Sequence, residues 1–183
     1  MNKLIRRCKE QNKTALGELY EQYSKQVYRT AFLLTRSVAN AEDVTQETFL
    51  RVFTKLGSYD ETKSFEAWLY RVTINVAKNY FRKNKVMRFW ELVTGREHET
   101  PADYVLKREQ DIMLWNQIRS LPYKLQSVIV LKYLNECSQE EISEILGIPV
   151  GTVKSRLNSG LKKLRNQISE EYTDSIQEVI CHE

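Results

Sequence analysis

Side-chain catalysis needs an activated nucleophile, an acid–base pair or a metal set, and this sequence offers none of them. Its 183 residues contain two histidines, His98 and His182. No HExxH, GxSxG or glycine-rich phosphate loop occurs. The many carboxylates fall at helix starts and on helix faces rather than in pairs tied to a base. The three cysteines, Cys8, Cys137 and Cys181, are far apart and form no CxxC. Neither a zinc site nor a disulfide framework is expected, and a reducing compartment suits the chain. Cys181-His182 could ligate a metal, but a frayed terminus is the simpler reading. No catalytic, cofactor-binding or metal-binding residue is therefore expected.

The residue types instead suit contact with a polyanion. Residues 71 to 88 carry Arg71, Lys78, Arg82, Lys83, Lys85 and Arg88 without an acid. Residues 150 to 168 carry Lys154, Arg156, Lys162, Lys163 and Arg165, again without one, whereas the stretch from Ser169 to Glu183 is purely acidic. The net charge of +4 hides this segregation. Two basic blocks point to nucleic acid touched at two places, against the plainer reading of two solvated helix faces.

Helices must position these groups. Gly and Pro number only 6 and 3, hydrophobic residues make up 42% and charged ones 28%, which is a globular, helix-favouring composition. No apolar run approaches the roughly 18 residues of a membrane span. The start, MNKLIRRCKE, is charged almost at once, so no signal peptide is expected. A helix is predicted from about Lys13 to Arg36, with Leu16, Leu19, Tyr20, Tyr23, Val27, Ala31 and Leu34 as its buried stripe. The next, AEDVTQETFLRVFTKL over 41 to 56, is capped by Asn40 and ended by Gly57. At 100° per residue Ala41, Val44, Thr48, Phe49, Val52, Phe53 and Leu56 share one sector. Asp43, Gln46, Glu47, Arg51 and Thr54 share the other, and Leu50 stands in its middle. A lone surface leucine is ordinary, but an apolar knob among acids and amides is also how a docking surface is built.

After a short polar loop, Ser58 to Ser64, a helix is predicted from about Phe65 to Asn84. Phe65, Leu69, Val72, Val76 and Tyr80 form its apolar stripe. Its other sector gathers Trp68, Arg71, Asn75, Lys78, Asn79 and Arg82. Cations neutralise phosphates, amides read base edges, and an aromatic stacks on an unpaired base. Residues 85 to 107 lose periodicity and read as a linker. A second helical unit follows, with a helix-turn-helix in it. Ser138-Gln139-Glu140-Glu141 is a capping box, Gly147 stops the helix, and Ile148-Pro149 turns the chain, with Pro149 suited to the first helical position. Val153, Leu157, Leu161, Leu164 and Ile168 face inward. Lys154, Ser155, Asn158, Ser159 and Lys162 face out. An acidic first helix and an acid-free basic second one match a major-groove reader better than a purely structural hairpin.

Three stretches carry a more specific signal: AEDVTQETFLRVFTKL, FEAWLYRVTINVAKNYFRKN, and LPYKLQSVIVLKYLNECSQEEISEILGIPVGTVKSRLNSGLKKLR. In this order, with a linker before the third, the chain from about residue 14 to 168 resembles the extracytoplasmic-function (ECF) sigma factors of the sigma-70 family. The resemblance implies an all-α chain of two small domains: a region 2-like bundle over 1–85 and a region 4-like helix-turn-helix over 108–169. A flexible linker over 86–107 joins them, and an acidic tail over 170–183 follows. It implies a cytoplasmic transcription initiation factor without cofactors or membrane insertion. Expected partners are core RNA polymerase, at the β′ clamp and β flap, double- and single-stranded promoter DNA, and an anti-sigma factor. Asp43, Gln46, Glu47, Leu50, Arg51 and Thr54 would then contact the clamp, with Leu50 as anchor. Asp60, Glu61, Thr62, Lys63, Ser64 and Phe65, together with Trp68, Arg71, Asn75, Lys78, Asn79 and Arg82, would open the −10 element and hold an extruded base. Thr152, Lys154, Ser155, Arg156, Asn158, Ser159 and Lys162 would read the −35 element.

The sequence departs from the family in one place. Members commonly carry His or Arg where this chain has Asn158 and Ser159, and Ala where it has Gly160. Fewer cations weaken phosphate attraction, and a mid-helix glycine costs about 1 kcal/mol relative to alanine. An alternative reading keeps the helix-turn-helix but makes the N-terminal part a non-sigma domain of a transcriptional regulator. The acid-free sector of residues 68 to 82 speaks against it.

Overall fold

A computed structural model describes residues 2–35, 37–94 and 117–167. The chain is all-α, with no strand among the described residues. It divides into two compact units, residues 1–102 and 103–183.

The first unit is built on α2 (Lys13–Thr35), α3 (Val38–Lys55) and α4 (Phe65–Thr94), each packed on the other two, with α1 (Asn2–Lys9) laid against α2. Helix α1 was not anticipated from the sequence. It is only eight residues long, and its two fully buried side chains, Ile5 and Cys8, are too few to register as a periodic stripe. Gln11, at φ 56°, turns the chain out of it. Asn12 then caps α2, its Oδ1 accepting from the Ala15 amide at 3.0 Å. The expected stripe of α2 is buried at Leu19, Tyr23, Val27, Ala31 and Leu34. Tyr20 departs from it, 43% exposed, with its ring 4.7 Å from that of Phe49. Buried threonines at 30, 35, 45 and 73 satisfy their hydroxyls on the carbonyl one turn back.

Helix α3 begins earlier than expected. Ser37, not Asn40, is the cap, and its Oγ accepts from the Asn40 amide at 3.3 Å. Nor does Gly57 end the helix alone: Leu56–Ser58 tightens into a 3-10 turn. Helix α4 runs to Thr94, ten residues past the expected end at Asn84, so the start of the predicted linker is helical. The physical reason is composition, since Lys85 to Glu91 contains no Gly or Pro and several strong helix formers. The rest of that segment, the acidic tail and Ile168 lie outside the described residues.

The second unit packs α5 (Tyr123–Ile129) on α7 (Val150–Gln167), and α6 (Gln139–Leu146) on α7. Helix α5 passes into a π turn over Val130–Leu134, where the Asn135 amide bonds the carbonyl five residues back at 3.2 Å. Val128, Leu131, Ile142, Ile145, Val153 and Leu157 are among the side chains of its core.

Candidate protein and nucleic-acid interfaces

The polar face of α3 is a surface around one apolar side chain. Leu50 is 60% exposed on a helix whose opposite face, from Ala41 to Val52, is buried. Arg51 Nε donates to Glu47 Oε1 at 2.7 Å beside it, and Asp43 and Gln46 are exposed on the same side. Thr54 spends its hydroxyl on its own helix, bonding the Leu50 carbonyl at 2.9 Å. Tyr80 of α4 joins this surface. The sequence put it in a buried stripe, but it is half-buried, and its hydroxyl pKa is raised by burial and then by the charges of Asp43 and Glu47. A tyrosine at the exposed end of an apolar stripe was the available signal for it.

The loop after α3 is ordered from below. Tyr59 is buried in the cluster with Phe65 and Trp68, its ring 5.5 Å from the first and 5.3 Å from the second. Its hydroxyl donates to the Lys63 carbonyl, so the loop closes over the ring. Asp60 Oδ1 accepts from the Thr62 amide at 3.0 Å and the Thr62 hydroxyl at 2.7 Å, an Asx turn. These bonds hold the Asp60 carboxyl below its usual pKa. Ser64 Oγ accepts from the Ala67 amide at 3.2 Å and starts α4. Asp60, Thr62, Lys63 and Ser64 are exposed.

Two of the expected loop contacts point elsewhere. Phe65 is 2% exposed and belongs to the core, because a large aromatic at the first turn of α4 gains far more from Tyr23 and Tyr59 than from water. It supports the loop and its side chain cannot touch a base there. Glu61 turns toward α1, its carboxylate bonded to Lys9 Nζ at 2.9 Å and Arg6 Nε at 3.3 Å. Those two cations, Lys9 first, lower its pKa. Trp68 is half-buried against Tyr59 and Phe65, so its ring is largely committed to the fold.

Beyond the loop, Arg71, Asn75, Lys78 and Asn79 are exposed along one side of α4. Arg82 follows in register, but nothing is described of its side chain. Together the loop and this row expose Asp60, Thr62, Lys63 and Ser64, then Arg71, Asn75, Lys78 and Asn79, a set of hydrogen-bonding groups and cations with one acid.

In the second unit the capping box is complete. Ser138 Oγ accepts from the Glu141 amide at 3.1 Å, and Glu141 Oε2 accepts from the Ser138 amide at 2.8 Å. Gly147, at φ 64°, ends α6 in the left-handed region that glycine tolerates. Pro149 is not the first helical residue: its carbonyl accepts from the Thr152 and Val153 amides at 2.8 and 3.1 Å, which makes it the residue before α7. Lys154, Ser155, Asn158, Ser159 and Lys162 are exposed, while Thr152 and Arg156 are half-buried at the edges of that face. Leu161 is only half-buried on the other side. No group of three potential metal ligands occurs among the described residues, and none of their helices is long and apolar enough to cross a membrane.

Comparison with known proteins adds to this geometry. Residues 19–86 match the family profile of sigma-70 region 2, and residues 111–164 that of sigma-70 region 4. The chain is 34% identical over 182 residues to the ECF RNA polymerase sigma factor SigW of Bacillus subtilis, covering 93% of this chain and 97% of that one. It is 31% identical over 179 residues to the ECF RNA polymerase sigma-E factor of Haemophilus influenzae, covering 90% and 93%. Its fold is similar to that of CnrH, solved in complex with the cytosolic domain of CnrY, with a TM-score of 0.68 and 22% identity over 90% of this chain and 94% of that one. RpoE of Bartonella quintana, solved with the anti-sigma factor NepR, is comparable: TM-score 0.64 and 22% identity over 91% and 97%.

Proposed function

The chain belongs to the ECF sigma factors of the sigma-70 family, and from that premise we propose which residues divide its work. It binds core RNA polymerase and directs it to promoters through their −35 and −10 elements, promoting DNA opening. The region 2 match speaks against the alternative of a regulator with an unrelated N-terminal domain.

In this proposal the first domain, residues 1–85, docks on the β′ clamp through α3. Leu50 is the anchor, Asp43, Gln46, Glu47 and Arg51 form its rim, and Tyr80 extends it. Thr54 contributes through its methyl group, since its hydroxyl is engaged. Asp60, Thr62, Lys63 and Ser64 present hydrogen-bonding groups to an extruded −10 base. Arg71, Asn75, Lys78, Asn79 and Arg82 follow the strand. Glu61, Phe65 and Trp68 work from beneath the surface. Residues 86–107 link this domain to the second, 108–169, which docks on the β flap and reads the −35 element through Thr152, Lys154, Ser155, Arg156, Asn158, Ser159 and Lys162. The chain acts in the cytoplasm, by binding and without catalysis. An anti-sigma factor is a further partner, by extension from RpoE of Bartonella quintana, which was solved with the anti-sigma factor NepR.

The observation that carries the promoter-opening part is the exposed row from the loop to Asn79, in which Asp60 is the one exposed acid. Opening a strand costs a few kcal/mol per unstacked base, so the protein must supply contacts that exist only with the opened strand. Permanganate footprinting of unpaired thymines, on duplex and on pre-melted promoters, tests it. Asn75→Ala should impair open-complex formation more than closed-complex binding. If Asn75 acts in melting, the pre-melted template restores opening; if it holds the extruded base, the defect persists there. Normal opening by Asn75→Ala and by a chain with another member's loop, with no change in −10 preference, would leave this face only a structural or tethering role.

A further inference from the structure

The loop assigned to the −10 base is held by an element that belongs to neither the loop nor the DNA-facing row. Lys9, near the end of α1, donates through Nζ to the Tyr59 carbonyl at 3.1 Å and to Glu61 Oε1 at 2.9 Å, and the same ammonium stands 5.7 Å from the centre of the Tyr59 ring. Arg6, one turn earlier, takes the other Glu61 oxygen. The Lys9 side chain is largely covered, with 24% of its surface exposed, so this pair is less screened than an ordinary surface ion pair. Helix α1 is itself fixed to the bundle by Ile5 and Cys8 in the core and by the fork of Arg7 on Glu18, two bonds of 3.0 Å.

We infer that Lys9 is a specificity-positioning residue: through Glu61 and the Tyr59 carbonyl it fixes the loop 60–64, and thereby sets how strictly that loop discriminates the extruded −10 base. The inference rests on the assignment of this loop to the −10 element. Its physical basis is preorganisation. A loop already rigid in one shape can reject a base that leaves its polar groups unpaired, whereas a loose loop repacks around any base. The geometry separates the roles cleanly, because the Glu61 carboxylate faces α1 while Asp60, Thr62 and Ser64 face solvent.

The test uses the full chain in holoenzyme on a promoter recovered by run-off transcription from genomic fragments. Four templates differ only at the extruded −10 position. Lys9→Met should reduce the ratio between the best and worst base by about fivefold, with the salt dependence of binding unchanged. Glu61→Gln should do the same, and the double variant should be no worse than either single one, as for two members of one contact. Lys9→Arg should keep the ratio. Without DNA, Lys9→Met should speed hydrogen exchange at the Thr62 and Lys63 amides, which the loop's own bonds protect, while the thermal transition is retained. A loss equal on all four templates, with a shallower salt slope, would make Lys9 a phosphate contact and overturn the inference. An unchanged ratio in Lys9→Met, where replacement of residues 60–64 does alter it, would overturn the inference and leave the loop assignment standing. No effect of either would overturn both.

Discussion

Arg51 Nε lies 2.7 Å from Glu47 Oε1, and this one-turn ion pair flanks Leu50 rather than bridging to another helix. It therefore contributes little to the fold, about 0.3–0.5 kcal/mol for such a pair, while shaping what an incoming protein meets. Leu50→Ala should lower affinity for core polymerase by about 2 kcal/mol or more, as loss of a central anchor does. Because Leu50 is largely in water already, stability should change by no more than about 0.5 kcal/mol. Glu47→Lys should weaken binding as well, with helix content unchanged. Full-strength core binding by both variants in a fluorescence titration would remove this surface from the interface.

On α7 the lysines and the small polar residues should behave differently. Lys154→Ala and Lys162→Ala should weaken promoter binding on all −35 sequences alike, each reducing the salt slope by about one. Ser155 and Asn158 substitutions should instead change which bases are preferred. Binding of holoenzyme to randomised −35 templates at several salt concentrations separates the two. If neither affinity nor preference moves, this face does not read DNA.

Gly160 has a packing partner that the sequence did not reveal. A Cβ placed on it would stand 3.1 Å from Ile129 Cγ1 and 3.2 Å from its Cδ1, so the glycine lets α7 lie close on α5. The helix gain of alanine, about 1 kcal/mol, is then offset by crowding. Gly160→Ala alone should leave stability within about 1 kcal/mol of the natural chain. In an Ile129→Ala background, where both Cγ1 and Cδ1 are gone, the same change should stabilise. Denaturation of the four proteins completes the cycle. A clear stabilisation by Gly160→Ala in the natural background would show that Ile129 yields freely.

The loop's carboxylates fix the sign of its acid response. Asp60 and Glu61 both have pKa values lowered in the folded chain. Groups lowered on folding contribute order above their ordinary range, and that order is lost as pH falls through the lowered values. Exchange at the Thr62 and Lys63 amides, corrected for intrinsic rates, should thus report a constant loop from neutrality down to about pH 5, with loosening only below the ordinary carboxylate range near about 4. Loosening around neutrality would mean that some other group holds the loop.

Periodicity made the large faces readable. The buried residues of α2 and α3, the exposed Leu50, the acid-free row of α4 and the capping box of α6 all follow from spacing along one helix. What escaped has no such spacing. Lys9 and Glu61 are 52 positions apart, and nothing local marks them as partners. Between Ser37 and Asn40 both residues cap well, and the choice fell to the one that could take the other's amide. Phe65 opened the apolar stripe of its helix, and its burial agrees with that spacing and not with the DNA contact the resemblance implied. Glu61 sits in a polar stretch, so the sequence showed it as surface. The pairing of Glu61 depends on Lys9 and Arg6 of α1, which arrive from more than fifty positions away.

The charge contrast inside the helix-turn-helix has a kinetic consequence. Glu140 and Glu144 are exposed on α6, and Lys154, Lys162 and Lys163 on the α7 that packs against it. The α6–α7 pair is an electric dipole, and in the field of a DNA duplex a dipole feels torque before it touches anything. Approaches with α6 leading are repelled and turned, so that encounters begin with α7 foremost. The torque acts over roughly one Debye length, about 10 Å at 0.1 M salt. Added salt should therefore slow association beyond what weaker attraction alone predicts, since it also removes the alignment.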